Sequence, residues 1–375
     1  MREIYNKRIE RERGIIMVRH LWVIAGFIIG ITEWVNADTI VLPNDPCFSY
    51  MGRWDRTSEN VAITVNTGSA VRFGFTGDRC TLLFRTSLYT TYPHPSLWYR
   101  IDAGEWVERE IESELLLTPA DLSLSSHMVE IVVKGLILKY HRWSSTLAAA
   151  VYFSGISLPE GAFFLPGRAP TGPRIEILGD SITEGIAAVG VSGPESYTTD
   201  GRRTYGYLLG EAFDADLRLV GFSGTGITAW GNGATPPVLR TFPYFHGTVE
   251  KDEWQADFVI INLGTNDRDV SVTSFMNGYT ELLTMIRASY PAAMIFCLRP
   301  FNGQHAARIR DVVETVRASG DVFVEYVDTE GWIQTYADTT DGIHPNLEGH
   351  RKIAGFLVDM IMPLVTSDLK LYHLY

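Results

Sequence analysis

Five apolar runs constrain the fold of the second half of this chain more than any other feature: Ile175 to Leu178, Leu217 to Gly221, Phe258 to Leu263, Met294 to Leu298 and Val322 to Val327. Each has the length of a strand, and helical patterns lie between them. In the clearest of these, Phe275, Tyr279, Leu282, Leu283 and Ile286 share one face at helical spacing before Pro291 stops the helix. Strands that are apolar throughout and alternate with helices specify an α/β domain whose parallel sheet is covered on both sides. In such a sheet the working site lies beyond the carboxyl ends of the strands.

The first half reads differently. Val61 to Val65, Ala70 to Phe75, Cys80 to Arg85, Leu97 to Asp102, His127 to Val133 and Ala149 to Phe153 are short runs rich in β-branched and aromatic residues. Asn-Thr-Gly, Thr-Gly-Asp and Asp-Ala-Gly turn signals punctuate them, and no helical periodicity intervenes. This pattern predicts an all-β sandwich. A chain of 375 residues is long enough for two cores. The expected boundaries are a sandwich over 38–160, a Gly- and Pro-containing linker over 161–173, and the α/β domain over 174–375.

Ahead of the sandwich, Lys7, Arg8, Arg11, Arg13 and Arg19 precede the apolar run Leu21 to Ile31, and Val35-Asn36-Ala37 offers a small-residue cleavage site. That order predicts a secretory signal peptide over 1–37 and a secreted or periplasmic mature protein. Met17 as initiator would give a leader of conventional length. The apolar run is shorter than the roughly 20 residues of a membrane span, an uncleaved anchor being the alternative. The net charge of −12 leaves no basic stripe to neutralise phosphates, which argues against a nucleic-acid partner. Three cysteines are too few for a disulfide scaffold. Cys47 and Cys80 could bridge, and Cys297 lies in an apolar run.

Four segments fall where the α/β rule puts a site. Gly179-Asp180-Ser181-Ile182-Thr183 follows the first strand, Gly221-Phe222-Ser223-Gly224-Thr225-Gly226 the second and Gly264-Thr265-Asn266-Asp267 the third. Asp341-Gly342-Ile343-His344-Pro345 precedes the last helix, which Asn346 can cap. A serine hydroxyl needs a base before it attacks a carbonyl, and His344 can be that base. Asp341 can take the other imidazole nitrogen, fixing its tautomer. The amides of Ser181 and Gly224 and the side-chain amide of Asn266 are candidate donors to a developing oxyanion. Taken singly, each segment also reads as a helix cap, a turn or a surface loop. A metal reading of Asp341, His344 and Glu348 is weak, because no second ligand cluster accompanies it. Ser223 is a decoy: Thr225 stands where a G-x-S-x-G elbow needs glycine.

The four segments resemble the four sequence blocks of SGNH (GDSL-type) hydrolases, with Ser181, Gly224, Asn266 and His344 at the Ser, Gly, Asn and His positions and Asp341 completing the triad. The resemblance covers about 172–365. The two-domain layout, with Tyr50-Met51-Gly52-Arg53-Trp54-Asp55 near the mature N-terminus, is similar to carbohydrate esterase family 2. It implies a jelly-roll-like sandwich ahead of a flavodoxin-like three-layer α/β domain. It also implies removal of O-acetyl groups from xylan, glucomannan or related carbohydrate, with no metal or organic cofactor.

Trp230, Trp332 and Tyr336 are candidate sugar-facing aromatics, core or rim packing being the other reading of each. The alternatives in function are a lysophospholipase or thioesterase acting on longer acyl chains, and a glycan-binding protein with a weak catalytic site. A lipid enzyme would call for an apolar tunnel, whereas the loop after Gly224 carries Gly, Asn and Trp. No stable membrane association is expected after the leader is removed.

Overall fold

The computed structural model describes residues 38–89, 92–137, 141–143, 147–247 and 249–366. The leader expected over 1–37 lies outside the described residues.

The N-terminal half forms two antiparallel sheets. One runs Asp55–Ser58, Val61–Thr64, Val151–Leu158, Cys80–Phe84 and Glu114–Leu117 in spatial order, with Thr39–Val41 also on Val151–Leu158. The other runs Phe164–Leu165, Ala70–Phe75, His127–Gly135, Ser96–Ile101 and Val107–Glu110, with Ser49–Met51 also on Ala70–Phe75. Strand periodicity of two shows in Cys80–Phe84, where Cys80, Leu82 and Phe84 are buried and Thr81 and Leu83 are half-buried. Between the sheets, the Phe48 ring meets those of Phe73 and Phe153 edge-on, at 5.5 and 5.4 Å. The sandwich is longer than its expected boundary: Phe164–Leu165 pairs with Phe75 and Gly74, inside the stretch read as a linker. All three cysteines are free thiols, so Cys47 and Cys80 do not bridge.

The second half contains a five-stranded parallel sheet in the order Asp216–Gly221, Arg174–Gly179, Phe258–Asn262, Met294–Leu298 and Val324–Val327. Numbered along the chain this order is 2-1-3-4-5, the flavodoxin-like winding. Successive residues of each strand face opposite helical layers. Ile175, Ile177, Phe258 and Ile260 pack with the helices Tyr205–Phe213 and Leu347–Thr366. Leu178, Val259, Ile261 and Ile295 pack with Val272–Ser289 and Ala306–Ala318. This two-sided burial is why the strands read as unbroken apolar runs. The helix Val272–Ser289 starts where Ser271 Oγ accepts the Ser274 amide and ends one residue before Tyr290, just ahead of Pro291.

The two halves are docked through polar contacts as well as apolar ones. Trp98 of the sandwich donates its indole N–H to the buried carboxylate of Asp200. Lys134 donates to the carbonyls of Ser196 and Tyr197 at 3.1 and 2.7 Å. Among the described residues, no helix is long and apolar enough to cross a membrane.

Candidate active site

The site sits at the switch point of the winding, where the strands Arg174–Gly179 and Phe258–Asn262 lie side by side. The chain leaves the first of these at Gly179 and turns at once into the short helix Ser181–Glu184. Asp180 caps that turn, its Oδ1 accepting the Ile182 amide at 3.0 Å. Burial pushes the Asp180 carboxyl up to about 7, with the nearby Asp267 and Glu184 adding to the rise against its backbone hydrogen bonds.

The loop Asp341–Pro345 brings an imidazole to Ser181 across 163 residues of sequence: His344 Nε2 lies 2.8 Å from Ser181 Oγ. His344 Nδ1 lies 2.7 Å from Asp341 Oδ2. Asp341 is itself fixed, because its Oδ1 accepts the amides of Ile343 and His344 at 3.0 and 2.8 Å. Partial burial would raise its pKa, but the His344 amide and ring and the Ile343 amide outweigh that and hold it below the ordinary carboxylate range. Beyond the loop, Asn346 Oδ1 accepts the amides of Glu348 and Gly349, the cap expected for the last helix. Hydroxyl, imidazole and carboxylate therefore stand in series, an arrangement able to move a proton off the serine.

The loop after the second strand runs beside Asn266. Gly224 has φ +80°, a left-handed backbone that favours glycine, with Gly231 and Asn232 at van der Waals distance, 3.4 Å, from where a Cβ would stand. Asn266 Nδ2 donates to the Thr225 carbonyl at 2.9 Å and reaches Asp180 Oδ2 at 3.3 Å. The next residue, Asp267, is buried, and its carboxylate accepts the amides of Ile227, Thr228 and Ala229 at 2.9, 2.8 and 3.1 Å. Gly226 permits this approach, since a Cβ there would fall 2.2 Å from Asp267 Oδ2.

The other candidates separate. Trp230 is 59% exposed beside this loop, with the Arg240 guanidinium 5.6 Å from its ring centroid. Trp230, Trp143, Tyr152 and Tyr244 line a cavity of about 1000 Å³ between the two halves. Tyr336 is 93% exposed. Trp332 is half-buried, with its ring stacked on Phe356 of the last helix at 4.9 Å. Glu348, weighed as a metal ligand with Asp341 and His344, pairs with Arg351 instead. Among the described residues no group of three or more His, Cys, Asp or Glu is placed to hold a metal ion. Ser223 Oγ accepts from the Asn232 side chain. His350 is fully buried, and its Nδ1 accepts the Tyr205 amide. Sequence reasoning missed Arg142 and Glu184, an ion pair with neither side chain exposed, next to Ser181 and Ser223. Neither residue stands in a motif that would have announced it.

Residues 177–352 match the model of the GDSL-like Lipase/Acylhydrolase family. Cellulase/esterase CelE of Acetivibrio thermocellus is 27% identical over 337 residues, covering 83% of this chain and 39% of that protein. The chain thus spans well under half the length of that relative. An acetylxylan esterase / glucomannan deacetylase of Cellvibrio japonicus is 25% identical over 283 residues, or 68% of this chain and 72% of the relative. Among solved structures, a family two carbohydrate esterase from Clostridium thermocellum, in complex with cellohexaose, superposes with a TM-score of 0.71 at 22% identity, covering 84% of this chain and 98% of that one. A family two carbohydrate esterase from Cellvibrio japonicus gives 0.71 at 21% identity over 88% and 99%. These likenesses establish the fold: a β-sandwich followed by an SGNH-type α/β domain.

Proposed function

We propose that this protein is a serine esterase that removes small acyl groups, acetyl above all, from carbohydrate. The observation that carries the reading is the unbroken contact from Ser181 Oγ through His344 to Asp341 at the carboxyl edge of the parallel sheet. In this mechanism Ser181 Oγ attacks the acetyl carbonyl and its proton passes to His344 Nε2. Asp341 stabilises the imidazolium that results. The negative charge on the former carbonyl oxygen is met by the amides of Ser181 and Gly224 and by Asn266. For this, one Asn266 N–H turns to substrate from its longer, 3.3 Å contact with Asp180. Collapse expels the sugar oxygen, which takes the proton from His344, and leaves acetyl-Ser181. Water activated by His344 then releases acetate and restores the serine.

The named relatives support carbohydrate as the alcohol part, and the exposed ring of Trp230 supplies a surface for a sugar face. Tyr336 is a second, outlying contact. The leader-like N-terminus supports export to where polysaccharide is found. The test is acetate release from acetylated xylan, glucomannan and acetylated monosaccharides, with Ser181→Ala as control. Activity on at least one of these, abolished in the variant, is expected. Faster hydrolysis of octanoyl than of acetyl p-nitrophenyl ester would replace this reading with a lipid esterase.

A further inference from the structure

Glu184 ends the short helix that begins at Ser181, and its carboxylate is fully buried. Its Oε2 accepts the amide of Ser223 at 2.7 Å, the residue immediately before Gly224. Arg142, in the connection between the sandwich strands His127–Gly135 and Val151–Leu158, grips both carboxylate oxygens. Two more contacts from the sandwich side converge there. The Thr67 hydroxyl donates to the Glu184 carbonyl at 2.7 Å, and the Trp143 ring stands edge-on to Phe222, centroids 5.7 Å apart.

We infer that Arg142 is a positioning residue for the oxyanion site, acting through Glu184 on the Ser223 amide and so on the direction of the Gly224 N–H. The reason is geometric and electrostatic. Ser223 is held on one side by Glu184 and on the other by the Asn232 amide, which donates to its carbonyl at 2.8 Å. The peptide that carries the Gly224 donor is pinned by Asn232 at its carbonyl, and Glu184 pins the peptide before it; release of the Glu184 hold loosens the Ser223 backbone dihedrals that set the donor's direction. A buried carboxylate close to a nascent oxyanion would also oppose the charge forming there, and the guanidinium cancels it. The sandwich thereby completes a site whose reacting groups all lie in the other half of the chain. This inference rests on the esterase reading above.

The decisive comparison is between two double variants that both remove the ion pair. Arg142→Met with Glu184→Gln keeps an acceptor for the Ser223 amide; Arg142→Met with Glu184→Leu does not. Neither leaves a buried lone charge, so both are expected to fold, checked by circular dichroism and thermal melting. On p-nitrophenyl acetate both doubles should lose kcat at an unchanged KM, the Leu double by about 10²-fold, the size of a lost oxyanion donor, and the Gln double by about tenfold less than that. Arg142→Met alone should fall between them. Equal kcat in the two doubles, or a change confined to KM, would overturn the inference. If the wild type were inactive, or Ser181→Ala as active as wild type, the esterase reading itself would fail instead.

Discussion

Arg53 of the sandwich and Glu176 of the first parallel strand form an ion pair at 3.0 Å in which the side chains are 1% and 0% exposed. Arg53 also donates to the Tyr244 carbonyl, and the Tyr290 hydroxyl donates to the other oxygen of Glu176. Arg53 is the direct ion-pair partner of Glu176, while Lys251, Arg218 and the Tyr290 hydroxyl of its own half add to the stabilisation of the carboxylate.

Arg53→Met removes the direct ion-pair partner and leaves Glu176 buried with the Tyr290 hydroxyl and the fields of Lys251 and Arg218. The expected loss is about 3–5 kcal/mol of unfolding free energy, read from urea denaturation. Adding Glu176→Gln to that variant should recover much of the loss, because the stranded charge goes with it. A single variant as stable as wild type would mean the pair does not couple the halves.

Asp341→Asn should lower kcat on acetyl esters by about 10⁴, since an amide cannot fix the imidazole tautomer or stabilise the imidazolium. Ser181→Ala should cost more, leaving only background hydrolysis. The check is steady-state kinetics on p-nitrophenyl acetate. An Asp341→Asn enzyme near wild-type rate would show that His344 works without its carboxylate.

Gly224→Ala tests the left-handed turn. The strain comes from φ at +80°, since an added Cβ would meet Gly231 and Asn232 only at van der Waals distance; relieving it moves the loop's amide. Turnover should drop by about 10²–10³, with KM less affected.

Trp230→Ala should raise KM on acetylated oligosaccharide several-fold, by roughly the 1–2 kcal/mol of a lost aromatic contact. It should leave p-nitrophenyl acetate, which carries no sugar for the ring to stack on, nearly unchanged. Equal KM values on the oligosaccharide would remove Trp230 from the substrate surface.

His350 gives the fold an acid sensitivity. Burial, with a smaller push from His344, lowers its pKa to about 3 from an ordinary 6.5. Between those values the unfolded chain binds a proton that the folded chain refuses, so stability falls as pH drops from 6.5 toward 3, by on the order of 5 kcal/mol in all. Above 6.5 the contribution is fully present. His350→Gln keeps an acceptor for the Tyr205 amide and should flatten the fall in Tm between pH 6.5 and 4. An unaltered slope would place the acid sensitivity elsewhere.

The parallel sheet was legible in the sequence because both faces of each strand are buried, which writes the strands as apolar runs. The short strands Asp55–Ser58 and Val107–Glu110 were not, being polar and largely open to solvent, nor was Glu114–Leu117, whose three leucines are too short a run to set a period. Ser181, Gly224, Asn266 and the Asp341–His344 loop stood out because each follows a strand or precedes a helix at the rim where chemistry collects. Arg142 and Glu184 did not, because a partnership across 42 residues and two domains leaves no local spacing to read.

Thr67, Arg142 and Trp143 give the β-sandwich a place inside the machinery of its neighbour. An excised α/β half would carry an empty socket around Glu184, so swapping front modules among relatives should succeed only when that socket travels with its plug. Insertions and deletions in the 141–143 connection are then a form of catalytic tuning, made at a distance in sequence from every reacting atom.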